Sequence, residues 1–155
     1  MKISKVAIAA IFLWVVTVAV FAWFFIRGNT VAGSDNRTAV VLNPGERDFA
    51  LREMRGMLSS AYGILEGINR GDLKQVAKAA RAAGMGTAAD VNPALMAKLP
   101  LPFKQLGMSV HREMDELAAA AESGKPVEEL QQMLTSALSK CVACHAAWQI
   151  KAGGD

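Results

Sequence analysis

The residues best suited to chemistry form one short string, Cys-Val-Ala-Cys-His, at positions 141–145. Two thiols three residues apart, followed at once by an imidazole, make the C-x-x-C-H pattern of covalent haem attachment. Each thiol can form a thioether with one haem vinyl group, and the histidine can bind the iron from the proximal side. We therefore predict that Cys141 and Cys144 hold a single haem c and that His145 binds its iron.

Part of this pattern also fits a redox-active dithiol, a zinc site or a chance match. A redox-active dithiol has the same C-x-x-C spacing, but it normally follows a strand, whereas this string ends an amphipathic helical pattern. A zinc site needs four ligands, and the only other histidine in the chain is His111. A chance match is disfavoured because the N-terminal segment independently indicates export, and exported domains are where haem is attached covalently.

That N-terminal segment, residues 6–26, is long enough to cross a membrane. Twenty of its 21 residues are apolar, and a helix of this length spans roughly 31 Å, about one hydrocarbon core. Lys2 and Lys5 precede it and favour a cytoplasmic N-terminus. The run exceeds the roughly 7–15 apolar residues of a signal peptide, although small residues at 30–33 leave cleavage open. We expect a single-pass bacterial inner-membrane anchor over residues 1–27, with the rest of the chain in the periplasm.

The composition separates this anchor from the remainder. The chain is 52% hydrophobic and only 6% aromatic, and six of its aromatic residues lie in the apolar run. Its net charge is +3, but from residue 47 onward 13 Lys and Arg are balanced by 12 Asp and Glu. A folded unit without a basic excess gives no support to nucleic-acid binding. Two cysteines exclude a disulfide-dense scaffold, and the length favours one domain.

The rest of the chain is predicted to be a flexible tether and then a helical domain. Residues 28–46 mix Gly, Asn, Ser and Pro without a sustained period, which is typical of a linker. From residue 47 the apolar positions recur every three or four residues, with no strand alternation. Mostly short connections predict an all-α, antiparallel four-helix bundle over 47–155. The expected helices are about 47–69, 72–83, 102–122 and from 126 onward, with a short helix at 93–98.

The motif and its position resemble those of a known family. A C-x-x-C-H string on the fourth helix of a bundle is similar to the class II c-type cytochromes, which are the cytochrome c prime proteins and their low-spin, methionine-ligated relatives. In that family an aromatic residue and then a basic residue follow the motif. Trp148 matches the aromatic, whereas Gln149 takes the basic position and Lys151 follows two residues later. The resemblance covers about residues 47–151 and implies an electron-transfer protein, not an enzyme.

The resemblance also implies that the first bundle helix crosses the distal face of the haem. A methionine there makes the iron six-coordinate, and an apolar side chain leaves it five-coordinate. Counting back from the helix end at Gly71 places this position near Met54 or Arg55, so Met54 is the candidate distal iron ligand. Leu51, four residues after Arg47, is the leading alternative.

Other side chains are expected to have supporting roles near the haem. Met57 and Trp148 are candidates for packing against it, while Met54 and Met57 also suit a core-filling role because methionine adapts to irregular gaps. His111 lies at the edge of its helix's buried face, where a histidine is more often solvated or paired than metal-bound. The candidate partners of the haem propionates are Arg47, Arg52 and Arg55.

Together these features predict a membrane-tethered periplasmic cytochrome that exchanges electrons with membrane redox proteins or periplasmic carriers. A five-coordinate haem that binds NO or CO is one alternative, and an accessory haem subunit of a larger membrane complex is another. The resemblance also implies pairing as a homodimer through the early helices.

Overall fold

The computed structural model describes residues 4–89 and 91–153, and most of them are helical. The prediction of a helical chain is confirmed, and each helix expected from the periodicity has a counterpart. In chain order the elements are α1 Lys5–Arg27, β1 Thr30–Ala32, β2 Thr38–Leu42, α2 Pro44–Arg70, α3 Leu73–Arg81, α4 Met85–Ala88, α5 Pro93–Lys98, α6 Leu101–Glu122, α7 Val127–Ala147 and β3 Trp148–Ala152.

Helix α1 contains the apolar N-terminal run. It has 23 residues, its most apolar window has a mean hydropathy of 2.5, and none of that window is buried. By length and composition it can therefore cross a membrane. Its first turn is capped by Ser4, whose Oγ accepts a hydrogen bond from the Ala7 amide at 3.1 Å. Lys2, expected on the cytoplasmic side, lies outside the described residues.

Helix α2 is the longest element, and both of its ends carry strong local signals. The Asn43 side chain accepts a hydrogen bond from the Glu46 amide at 2.8 Å, and the Glu46 carboxylate accepts one from the Asn43 amide at 3.0 Å. This capping box and Pro44 at the first position start the helix. Gly71 ends it with φ +66°, a left-handed conformation that glycine adopts without strain.

The helices α2, α3, α6 and α7 enclose a core of branched and small side chains, here called the helix cluster. Helix α3 packs against α2 and α6, and α7 packs against α6 and α2. Alanines at the contact faces let the backbones approach, and each buried Leu or Ile contributes about 1.5–3 kcal/mol. Its largest fully buried members are Ile64, Met114, Leu117, Leu130, Leu134 and Val76.

Residues 28–46, expected to be a flexible tether, instead enter a three-stranded sheet. Strand β1 pairs antiparallel with β2, and β2 pairs parallel with β3 in the register Val40 to Ile150. Val40 and Leu42 are buried with Leu95 in a second core, here called the sheet cluster. The expectation of a flexible tether over residues 28–46 is therefore wrong, and α2 begins at Pro44, before the expected start near residue 47. Strand β2 gains its second partner only from the far end of the chain, which local pattern does not reveal.

Candidate functional site

The C-x-x-C-H motif lies in the last two turns of α7, as the sequence predicted. Cys141, Cys144 and His145 stand at helical spacings of three and four, so their side chains lie on one side of the helix. Both thiols are free and half-buried. The helix ends directly after the motif, at Ala147, and the chain continues into β3.

A groove of about 150 Å³ opens beside the motif, and we call it the α7 groove. It brings together the proximal candidate His145 and both distal candidates, Leu51 and Met54, although α2 and α7 are far apart in sequence. Trp148, predicted to pack near the haem, also lines it. The complete lining is Arg37, Leu51, Met54, Phe103, Cys144, His145, Trp148, Gln149 and Ile150.

The size of the α7 groove limits what can enter it without movement. Pre-formed small-molecule pockets usually measure about 300–1,000 Å³, and this groove holds about 150 Å³. A group as large as a haem therefore requires lining side chains such as Met54 or Trp148 to move outward, or stands partly outside the groove. Trp148 makes an edge contact with Phe103, with ring centroids 6.0 Å apart.

The electrostatics of the two thiols distinguish between the chemistries that C-x-x-C allows. Burial raises the pKa of Cys141, and burial together with the neighbouring Cys141 raises the pKa of Cys144. A redox-active dithiol needs the opposite, a thiol whose pKa is lowered so that the thiolate attacks. The Cys141 Sγ also donates a weak hydrogen bond to the Ala137 carbonyl at 3.8 Å. Neither thiol therefore has the lowered pKa that is typical of a redox dithiol.

Arg37 is a groove residue that the sequence pattern did not predict. Its Nε donates to the Asp35 carboxylate at 2.8 Å, and its Nη1 donates to the His145 carbonyl at 3.2 Å. The guanidinium therefore caps the last turn of α7 at the motif itself. Arg37 lies in the segment expected to be a tether, and the one available signal was the β-branched run of the adjacent strand, Thr38–Leu42.

The three arginines predicted to meet haem propionates do not line the α7 groove. Arg47 pairs with Asp48 at 3.7 Å. The Arg52 guanidinium lies over the Phe49 ring, 5.2 Å from its centroid. Arg55 is exposed to solvent.

Met57 and His111 also lie apart from the α7 groove. Met57 is partly buried and packs against the helix cluster. The His111 Nδ1 donates to the Ala83 carbonyl at 2.9 Å and lies 3.4 Å from the Thr87 hydroxyl. These contacts give His111 a structural role that joins α6 to the connection after α3.

A second concave surface on the described chain lacks the predicted chemistry. A shallow depression with a larger volume, about 350 Å³, lies on the outer polar face of α7. It is lined by Glu128, Gln131, Gln132 and Thr135. Across residues 4–89 and 91–153, no three His, Cys, Asp or Glu side chains gather into a group that could hold a metal ion. Comparison with family models, curated proteins and solved structures found no match for this chain.

Proposed function

We propose that this protein is a membrane-anchored, periplasmic mono-haem c-type cytochrome that transfers electrons. One observation carries the proposal: Cys144 and His145 of the C-x-x-C-H motif meet Leu51 and Met54 of α2 in one apolar groove. The motif residues were identified from their spacing in the sequence, whereas Leu51 and Met54 were identified from the family resemblance. A motif that matched by chance would have no reason to face the candidates for the opposite side of the haem.

The residues of the α7 groove suit a haem c. Cys144 and His145 line the groove, and Cys141 lies three residues before Cys144 on the same side of α7. Together they would provide the two thiols and the imidazole. Met54 offers a thioether sulfur, while Phe103, Trp148 and Ile150 form an apolar wall. A bound haem supplies a reversible one-electron couple at its iron. Arg37 lines the groove, whereas the three arginines first expected do not, so we propose it as the propionate partner. Such pairing would compete with its present ion pair to Asp35.

The arrangement of α2, α3, α6 and α7 supports a bundle of the class II cytochrome type. Each of these helices packs against two others, and α7 closes the set by contacting α2. In such a bundle, cofactors are held by side chains that project inward from facing helices. The haem would then be held between the first half of α2 and the end of α7.

The position of the possible cleavage site favours a retained anchor. Residues 30–33 overlap β1, which pairs with β2 through Thr30, Val31 and Ala32. Cleavage there would cut through the sheet. An uncleaved α1 with Lys5 at its start orients the domain toward the periplasm of a bacterium by the positive-inside rule.

The proposal is tested by expressing the full chain in a host that matures c-type cytochromes. We expect the denatured protein to keep its haem absorption and its mass to include one haem. Cys141→Ser with Cys144→Ser should lose the covalent haem, whereas Lys151→Ala, close to the motif in sequence, should keep it. Exported full-length protein without haem, in a host where a control cytochrome matures, would refute the proposal.

Leu51 supports a second candidate, a five-coordinate haem that binds CO or NO. It lines the same groove as Met54, and an apolar side chain opposite His145 would leave the sixth position open. Rapid CO binding by the wild-type ferrous protein would favour this function over electron transfer.

A further inference from the structure

The junction between α1 and the rest of the fold contains no free linker. The Gly28 amide donates to the Phe24 carbonyl at 2.8 Å, and the next amide, of Asn29, donates to the Lys98 carbonyl at 2.7 Å. The Val41 amide donates to the Asn29 carbonyl at 2.8 Å, and the Asn29 side chain returns a bond to the Val41 carbonyl at 2.9 Å. Two residues after α1 ends, the backbone is thus bonded to both α5 and β2.

Gly28 allows the backbone at the end of α1 to lie very close to the backbone of residues 98–100. Its φ is +63°, and a Cβ there would lie 2.5 Å from both the Lys98 carbonyl oxygen and the Pro100 nitrogen. Both the dihedral angle and the space require glycine. The exit of α1 is therefore packed directly against the connection between α5 and α6.

Lys104, on α6, stabilises the same junction by contacting Phe25 of α1. It is only 8% exposed, its Nζ donates to the Phe25 carbonyl at 3.2 Å, and its ammonium lies 3.7 Å from the centre of the Phe25 ring. A cation at the last carbonyls of a helix is stabilised by the helix dipole, and the ring adds a cation–π contact. Burial lowers the pKa of Lys104. Lysines are rarely buried to this degree without such partners.

The junction and the α7 groove are at the same end of the domain. Phe103, which lines the groove, directly precedes Lys104, and consecutive Cα atoms lie about 3.8 Å apart. The start of α2 and the end of α7 also meet at this end. The groove is therefore next to the point where α1 leaves the fold.

Resting on the proposed function, we propose that Gly28, Asn29 and Lys104 form a rigid joint that holds the α7 groove at the membrane surface, so that its electron partner is an integral membrane redox protein. All the residues that line the groove follow Arg27, the polar residue at which α1 ends, so the groove lies outside the hydrocarbon core. An electron carrier dissolved in that core would not reach the groove. The aqueous face of a neighbouring membrane protein would reach it.

The joint is tested by hydrogen exchange on the full-length protein in lipid nanodiscs. Lys104→Met keeps the length and packing of the side chain but removes its charge. Loss of a charge-assisted hydrogen bond should speed exchange at the Asn29 and Val41 amides about ten-fold. Lys78→Met, an exposed change on α3, should leave both amides unchanged. Equal protection in wild type and Lys104→Met would overturn the joint.

The partner is tested by oxidising the ferrous holoprotein in the same nanodiscs. Two oxidants are compared, a lipid-anchored ferrocenium and a water-soluble ferrocenium. Each haem gives one electron to one ferrocenium, which is thereby reduced to ferrocene. A flexible Gly-Ser insertion between Gly28 and Asn29 should lower the rate with the anchored probe several-fold and leave the soluble rate unchanged, because it lowers the effective concentration. Equal rates with and without the insertion would overturn the membrane partner. Absence of haem would instead refute the proposed function, while the exchange experiment would still report on the joint.

Discussion

At the residue scale, two side chains one turn apart on α2 would decide the coordination of the proposed haem iron. Leu51 and Met54 both line the α7 groove with His145, and only the thioether of Met54 can bind iron. Met57, one turn further along, packs against the helix cluster instead. The three residues thus form a series on one helix in which only the middle member combines a ligand atom with the groove.

Met54→Leu is expected to convert a low-spin ferric haem into a high-spin one that binds CO rapidly when reduced. The change conserves volume, so the fold should lose less than about 1.5 kcal/mol. Absorption and electron paramagnetic resonance spectra report the spin state. Met57→Leu is the matched control and should leave the spectrum unchanged. If Met54→Leu keeps the low-spin spectrum, another residue is the distal ligand; a wild-type protein that is already high-spin would exclude Met54 as well.

At the scale of elements, Glu46 joins the start of α2 to α5. Its carboxylate completes the capping box with Asn43 and accepts hydrogen bonds from Lys98 Nζ at 2.6 and 2.8 Å. The Glu46 side chain is only 16% exposed. The hydrogen bonds from Lys98 are the main reason that the pKa of Glu46 is held below its ordinary value of 4.5. Because α5 also receives the junction with α1, this pair supports the whole groove end.

Glu46→Gln should lower the free energy of unfolding at pH 7 by about 1–3 kcal/mol. A carboxyl whose pKa is lowered by folding stabilises the protein above the unfolded pKa, and this stabilisation is lost as the pH falls through the folded pKa. The difference between wild type and Glu46→Gln should therefore shrink below about pH 4.5. Urea denaturation at several pH values measures it. Glu129→Gln, at an exposed i,i+4 pair with Lys125, should have little effect. A difference that stays constant with pH would contradict the role given to Glu46.

The contrast between helices and strands shows what the sequence could predict at this scale. The helices follow from local signals, such as the apolar period that ends at Gly71. The Asn43–Glu46 cap, which starts α2 at Pro44, lay in the segment expected to be a tether. Strand β2 has only five residues, and its parallel partner β3 lies at the other end of the chain. Its β-branched residues were compatible with a strand, but nothing nearby supplied the pairing. For the same reason the position of Met54, on a long periodic helix, was predictable, whereas that of Arg37 was not.

At the scale of the whole molecule, two cores of unequal size share the long helices. The helix cluster has fifteen buried residues, and the sheet cluster has three, Val40, Leu42 and Leu95. Helix α2 contributes Ile64 to the first core and Phe49 to the second. The groove end, with the sheet and the junction to α1, thus depends on the smaller core. Regions with little buried apolar surface open at lower free energy than the global transition.

Truncating a side chain in each core should therefore affect different parts of the structure. Leu134→Ala, at a residue 1% exposed in the helix cluster, should lower the global free energy of unfolding by about 2–5 kcal/mol and speed exchange at the slowest helix amides. Ile150→Ala, in a partly buried residue packed against the sheet cluster, should speed exchange in β2 and β3 and leave the slowest amides of α6 and α7 unchanged. Lys151→Ala, exposed on the same strand, is the control.

If Ile150→Ala speeds the slowest helix amides as much as those of β2, the two cores unfold as one unit, and the groove end has no local opening. If the two responses differ as expected, the lining of the α7 groove can open to admit a haem while the helix cluster stays folded, which is one of the two ways in which so small a groove could hold its proposed cofactor.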